Sequence, residues 1–160
     1  MDDAPGEIYV TSSQTTPART GLSAWSPAQR FALAFGAVYV VVALAGFALT
    51  GFSDFAGHHS HTLLIFAVNP LHNTIHLVLG IAWLASAPRH ATARLANLAI
   101  GVVLGLVTVI GFVGGMGMLG MSGLADPDNF LHLLTASLSL YFGSVAAGHS
   151  DGGEAPASVG

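Results

Sequence analysis

Two short stretches carry the groups most able to do chemistry in this chain. His72-Asn73-Thr74-Ile75-His76 and Asp128-Asn129-Phe130-Leu131-His132 each set a ligand-type side chain four residues before a histidine, with an asparagine just after the first. On a helix, residues four apart share a face. His72 with His76, and Asp128 with His132, should therefore each point one way. Brought face to face, they offer three imidazoles and a carboxylate, a set suited to a closed tetrahedral zinc site or to one with an open position. A self-contained reading stands beside it. Each motif opens in the first turn of its helix, where backbone N–H groups lack partners. The same side chains, with Asn73 and Asn129, can then form a neutral hydrogen-bonded network with water. His76 and His132 at matching depth would also suit the axial positions of a b-type haem, although no Arg or Lys lies nearby to meet propionates. His58, His59 and His61 form a short tract able to capture metal for the deeper site; its plain reading is a solvated loop.

The elements that must position these residues follow from composition. The chain has 160 residues, 52% hydrophobic and 8% charged, against a usual charged share of about 25%, and its mean hydropathy is +0.68. It has no Cys, and its four basic residues (Arg19, Arg30, Arg89 and Arg94) face eight acids, a formal net charge of -4. A nucleic-acid binder would need a cationic stripe, and a disulfide or Cys-ligated metal protein would need cysteines. A Schiff-base enzyme would need a lysine. An integral membrane protein fits instead. Spans of about 20 apolar residues cross a bilayer, and four are predicted, near 27–51, 70–87, 93–115 and 127–147. Ser26, Pro27 and Gln29 spell a capping box at the first. Asn69-Pro70 and Asp126-Pro127 open the second and fourth. Leu63 to Val68 reads either as an extension of the second span or as a separate interfacial helix.

The halves resemble each other. Gly36 to Phe47 aligns on Gly101 to Phe112 at an offset of 65, and His72 to Leu77 on Asp128 to Leu133 at an offset of 56. The expected fold is therefore all-α, a polytopic membrane four-helix bundle of two parallel helical-hairpin repeats. At 1.5 Å rise per residue, His76 lies about 9 Å beyond Pro70 and His132 about 7.5 Å beyond Pro127. The two imidazoles are thus expected at similar depth. Arg30, Arg89 and Arg94 all fall at one side, which puts both termini in the cytoplasm by the positive-inside rule. Residues 1–25 and 149–160 read as disordered tails around a 26–148 membrane domain. Gly101-x-x-x-Gly105 and Ala32-x-x-x-Gly36 suit close helix packing. Trp25 and Trp83 suit interface anchoring. Tyr39 and Tyr141 need partners inside the bundle, and Met116, Met118 and Met121 read as apolar filler in a flexible outer loop.

Between Ser26 and Gly148 the chain resembles a bacterial family of small four-span membrane proteins known only as a domain of unknown function. The likeness rests on Pro27-Ala28-Gln29-Arg30, the Gly46-Phe47 and Gly111-Phe112 pairs, Asn69-Pro70-Leu71-His72-Asn73-Thr74-Ile75-His76-Leu77, and Asp128-Asn129-Phe130-Leu131-His132. His58, His59 and His61 lie outside its pattern. The resemblance implies a multi-pass protein of the bacterial inner membrane and no particular activity. No nucleophile–base pair, phosphate loop or dinucleotide fingerprint points to an enzyme, and none to a nucleic-acid partner. Two readings remain. The first is a structural or accessory subunit, within a larger membrane complex or homo-oligomer, held in register by a His/Asn/Asp network. The second is a zinc, copper or bis-histidine haem protein using His76 and His132.

Overall fold

The computed structural model describes residues 21–56, 61–121 and 123–145. It is helical, with four helices in the order α1 (Pro27–Thr50), α2 (Pro70–Ser86), α3 (His90–Phe112) and α4 (Pro127–Val145). Both terminal tails, apart from residues 21–25, lie outside the described residues, as do His58 and His59.

Helix starts follow local chemistry. At α1, Ser26 Oγ accepts from the Gln29 N–H while Gln29 Oε1 accepts from the Ser26 N–H, a reciprocal capping box. Asn69 caps α2, its Oδ1 accepting from the His72 N–H at 2.9 Å, and Asp126 Oδ1 accepts from the Asp128 N–H at 3.0 Å. α3 begins at His90 and ends at Phe112, just before Gly114 turns left-handed at φ 79°.

Leu63 to Val68 is neither a helical extension nor a separate helix. It belongs to a small antiparallel hairpin, β1 (His61–Leu63) with β2 (Phe66–Val68), in which His61 pairs with Val68 and Leu63 with Phe66. Pro70 explains the difference. A residue before proline is pushed out of the helical region, and Asn69 is extended at φ -134°, so α2 cannot run backward through it. The β-branched and aromatic residues Thr62, Phe66 and Val68 then favour strands.

α1 packs mainly on α2, and α3 on α4. Small residues set these approaches. A Cβ on Gly36 would meet the Gly80 carbonyl and Leu84, and one on Gly101 would meet the Leu140 side chain and backbone nitrogen. Gly105, by contrast, has nothing within 4 Å of its would-be Cβ. Only the first glycine of Gly101-x-x-x-Gly105 is therefore a packing residue within this chain. At the end bearing the arginines, Gln29 Nε2 donates to the carbonyls of Ala87 and Pro88, both at 3.1 Å. Arg94 Nε donates to the Gly143 carbonyl, also at 3.1 Å.

Polarity is distributed inside-out relative to a water-soluble protein. Asn73, Asn97, Asn129 and Ser139 are fully buried, whereas Val41, Leu44, Val78, Leu95, Leu106 and Val109 are more than half exposed. α1 and α3 are each long and apolar enough to cross a membrane, with mean hydropathies of 2.4 and 2.3.

The core centres on Trp83, which is fully buried rather than placed at an interface. Its ring meets Tyr39 edge-on at 4.9 Å and Phe31 at 6.0 Å. Its Nε1–H donates to Asn97 Oδ1 at 3.0 Å. Asn97 Nδ2 donates in turn to the Ala28 carbonyl, and the Asn97 carbonyl accepts from Ser139 Oγ at 2.7 Å. One asparagine of α3 thereby ties α1, α2 and α4 together. Tyr141, expected inside the bundle, is exposed. The buried face of α4 runs through His132, Thr135, Ser139 and Gly143, and Tyr141 lies on the opposite side of that helix.

Candidate functional site

The first two turns of α2 and the second turn of α4 bring three histidines into one buried cluster. One ligand-capable atom from each of His72, His76 and His132 lies within 4.8 Å of the other two. The ring centroids are 4.5 Å apart for His72 and His76, 5.9 Å for His72 and His132, and 6.0 Å for His76 and His132. The four-residue spacing explains why His72 and His76 stack on one face of α2, and that face meets α4 at His132.

Each ring carries one buried nitrogen with no hydrogen-bond partner among the described residues: His72 Nε2, His76 Nδ1 and His132 Nδ1. The remaining nitrogen of His72 is engaged, with Nδ1 3.0 Å from the Leu119 carbonyl. A carbonyl only accepts, so Nδ1 carries the proton and Nε2 the lone pair. Leu119 comes from the glycine- and methionine-rich connection between α3 and α4, where residues 117–119 form a single 3-10 turn. That connection is folded over the histidines. Asn69 Nδ2 donates to the Met118 carbonyl at 2.7 Å, and Leu119 and Met121 are buried. Of the three methionines, Met121 fills core space against Gly111 while Met118 stays exposed.

Asp128 is fully buried beside this cluster. Its Oδ2 lies 4.0 Å from His72 Nδ1, too far for a hydrogen bond, and has no other partner among the described residues. It faces the nitrogen that His72 turns toward Leu119, so the carboxylate borders the trio of rings.

Asn73 and Asn129 serve their own hairpins. Asn73 Nδ2 donates to Thr50 Oγ1 at 3.0 Å, and its Oδ1 lies against Gly46 where a Cβ would have to go. Asn129 Nδ2 donates to the Gly123 carbonyl at 2.7 Å, and its Oδ1 lies against Gly111 in the same way. Neither Oδ1 has a conventional partner among the described residues. Resting on a bare glycine backbone leaves each carbonyl a weak Cα–H···O contact. One residue further along a helix is a rotation of about 100°, which takes Asn73 off the histidine face and onto α1.

His61, in β1, is exposed. Tyr39 of α1 completes the site's wall, its ring 4.9 Å from that of His76. Two small cavities flank the histidines. One, of about 70 Å³, touches all three rings between α2 and α3; the other, of about 80 Å³, reaches His76 past Tyr39 and Thr135 between α1 and α4. Sequence reasoning did not single out Asn97 or the Leu119 carbonyl. A lone amide in an otherwise apolar span was the available signal for Asn97, whereas a backbone carbonyl leaves no trace in sequence.

The sequence model of a family described as Domain of unknown function (DUF4383) matches residues 29–145. No curated protein and no solved structure matches the chain.

Proposed function

The chain belongs to this family of unknown function, and we propose that it is a multi-pass membrane protein holding one zinc or copper ion on His72, His76 and His132. The observation that carries the proposal is the set of three buried imidazoles, each with one unpaired ring nitrogen. A self-satisfied polar network, the other reading open from sequence, would need buried water to link those atoms, since none of them reaches a protein partner among the described residues. Leaving a buried acceptor unpaired costs about 1–3 kcal/mol, and a shared ion would satisfy three buried imidazoles that lie within ligand distance of one another. The His72 contact to the Leu119 carbonyl is the outer-shell interaction that orients ligating histidines. Asp128, behind the same ring, plays a supporting part rather than a ligating one.

The donor set fits the ion. Three imidazoles suit zinc or copper, and tetrahedral bonds of about 2.0–2.1 Å put ligand nitrogens roughly 3.3 Å apart. The rings therefore draw in by an ångström or so on binding. Haem suits the site less well. Porphyrin would have to enter among rings already packed at 4.5–6.0 Å, beside cavities of only about 70 and 80 Å³.

The inside-out polarity supports four membrane crossings, since an aliphatic exterior around buried amides and imidazoles suits lipid and not water. Two hairpin repeats are supported by contacts that recur at the sequence offsets of 65 and 56. Gly46 with Asn73 matches Gly111 with Asn129, and Gly36 with Leu84 matches Gly101 with Leu140. Gln29 on the Ala87 carbonyl matches Arg94 on the Gly143 carbonyl. Arginines at one end orient that end to the cytoplasm, so the metal lies toward the outer leaflet.

Elemental analysis of the full chain purified in nanodiscs tests the proposal. About one zinc or copper per chain is expected, lost in His76→Ala and His132→Ala while helicity is retained. A folded chain that takes up neither metal on dialysis would overturn it and leave the network as a purely structural device.

A further inference from the structure

The two cavities beside the histidines are equivalents of each other in position and differ in chemistry at two lining side chains. Between α2 and α3 the wall is Ile75 and Leu79 on one side and Val103, Leu104 and Val107 on the other. Between α1 and α4 the residues at the matching offsets are Leu131 and Thr135, facing Val38, Tyr39 and Val42. The substitutions that matter are Leu104 for Tyr39 and Leu79 for Thr135. They remove both hydroxyls from the α2–α3 side, and that side is the one touching all three imidazoles. Its outer wall includes Ile75 and Val103, both exposed on the aliphatic surface. The chamber therefore opens toward the surface that meets lipid.

Resting on the metal reading above, we propose that the open fourth position of the His72–His76–His132 site faces this chamber and takes a small neutral diatomic ligand of the dioxygen, nitric oxide and carbon monoxide class, reaching it from the bilayer. Size and polarity carry the inference. A cavity of about 70 Å³ is well below the roughly 150 Å³ that admits benzene, so the occupant has two or three heavy atoms. Apart from the rings, every lining side chain is aliphatic. A bound water needs two to four polar partners, and a zinc-bound hydroxide would find none of them here. Such a chamber favours an apolar guest and makes copper(I), with its affinity for neutral diatomics, the working ion of the two. The Tyr39 side meets only one of the rings, so it supplies no equivalent position.

Carbon monoxide on the copper(I)-loaded full chain in nanodiscs is the probe, read by its infrared stretching band together with copper content. Wild-type protein should give one band per copper. Val103→Phe, at the mouth of the α2–α3 chamber, should weaken carbon monoxide binding tenfold or more without loss of copper. Val38→Phe, the matching residue at the other crevice, should leave the band unchanged. Both positions are exposed, so neither variant challenges the fold. Copper retained with no band, or equal effects of the two variants, would overturn this inference and leave the metal site standing. Failure to bind copper or zinc at all would instead remove the underlying reading.

Discussion

Gly46→Ala should destabilise the protein although it adds a single methyl group. The new Cβ would land on Asn73 Oδ1, with the amide carbon 2.5 Å and Nδ2 2.8 Å away. No rotation of a flexible tip relieves this, because the Asn73 amide is held at its other end by Thr50 Oγ1. Forcing extra volume into such a contact costs about 1–3 kcal/mol. Breaking the Asn73–Thr50 hydrogen bond adds roughly 0.6, and at most about 1.7, kcal/mol by the standards of membrane bundles. The better helix propensity of alanine returns up to about 1 kcal/mol. The net expectation is a loss of about 2 kcal/mol, within a range of about 1–4. Gly105→Ala is the control, since nothing lies within 4 Å of its Cβ position; only the propensity term applies, and stability should hold or rise. Reversible unfolding of the full chain in mixed micelles measures both. A thermodynamic cycle sharpens the test: in an Asn73→Ala background the penalty of Gly46→Ala should vanish, because the obstructing amide is gone. If Gly46→Ala falls within 0.5 kcal/mol of wild type, or costs the same with Asn73 removed, the interlock is not what holds this hairpin.

Gly111→Ala should repeat the effect in the second hairpin through Asn129, with Met121 Cε also 2.9 Å from the added methyl, and the same unfolding titration reads it. Trp83→Phe leaves Asn97 Oδ1 without its donor and should cost about 1–3 kcal/mol, whereas Trp25→Phe, away from that network, should change stability little. Asp128→Asn, which removes no hydrogen bond to His72, should weaken metal affinity by less than the roughly 10–100-fold that loss of a hydrogen-bonded partner costs and leave stoichiometric binding at saturating metal, a result that competition with a chelator would register. Were Asp128→Asn to eliminate binding as fully as His132→Ala, the carboxylate would be a ligand and not a supporting group.

The helices were legible because their starts are written in polar and proline residues at fixed spacing. Ser26-Pro27-Ala28-Gln29, Asn69-Pro70 and Asp126-Pro127 mark helix starts that hydropathy alone would leave vague. The histidine cluster was legible from two four-residue spacings joined by the resemblance of the halves. What stayed hidden depended on direction around a helix or on backbone atoms. Trp83 near a span end looks the same in sequence whether it faces lipid or the core, and it turned inward because Asn97 waits there to accept its N–H. Asn73 and His72 are neighbours in the chain yet serve different contacts, since one residue of rotation separates them. Leu63 to Val68 is an apolar run of a length that strands and helices share, and proline chemistry at its end decided for the hairpin.

Taken as two copies of one hairpin, the halves have diverged where an open site would require it. Two faithful copies would set a pair of histidines on each of α2 and α4, four imidazoles able to close around an ion. Here the equivalent of His72 is Asp128, which backs the His72 ring at 4.0 Å and leaves three rings converging. The outer connections differ in the same sense. The first forms a hairpin above α2, while the second folds inward and lends the Leu119 carbonyl to His72 Nδ1. The flanking walls differ too, with hydroxyls at Tyr39 and Thr135 on one side and leucines at both matching positions on the other. Among the contacts away from the histidines, the glycine–asparagine interlocks and the donors onto Ala87 and Gly143 repeat, whereas the links from Asn97 to Trp83 and Ser139 do not. A scaffold kept twofold by these packing contacts and altered around His72 can present three nitrogens to an ion and keep its fourth side toward one crevice.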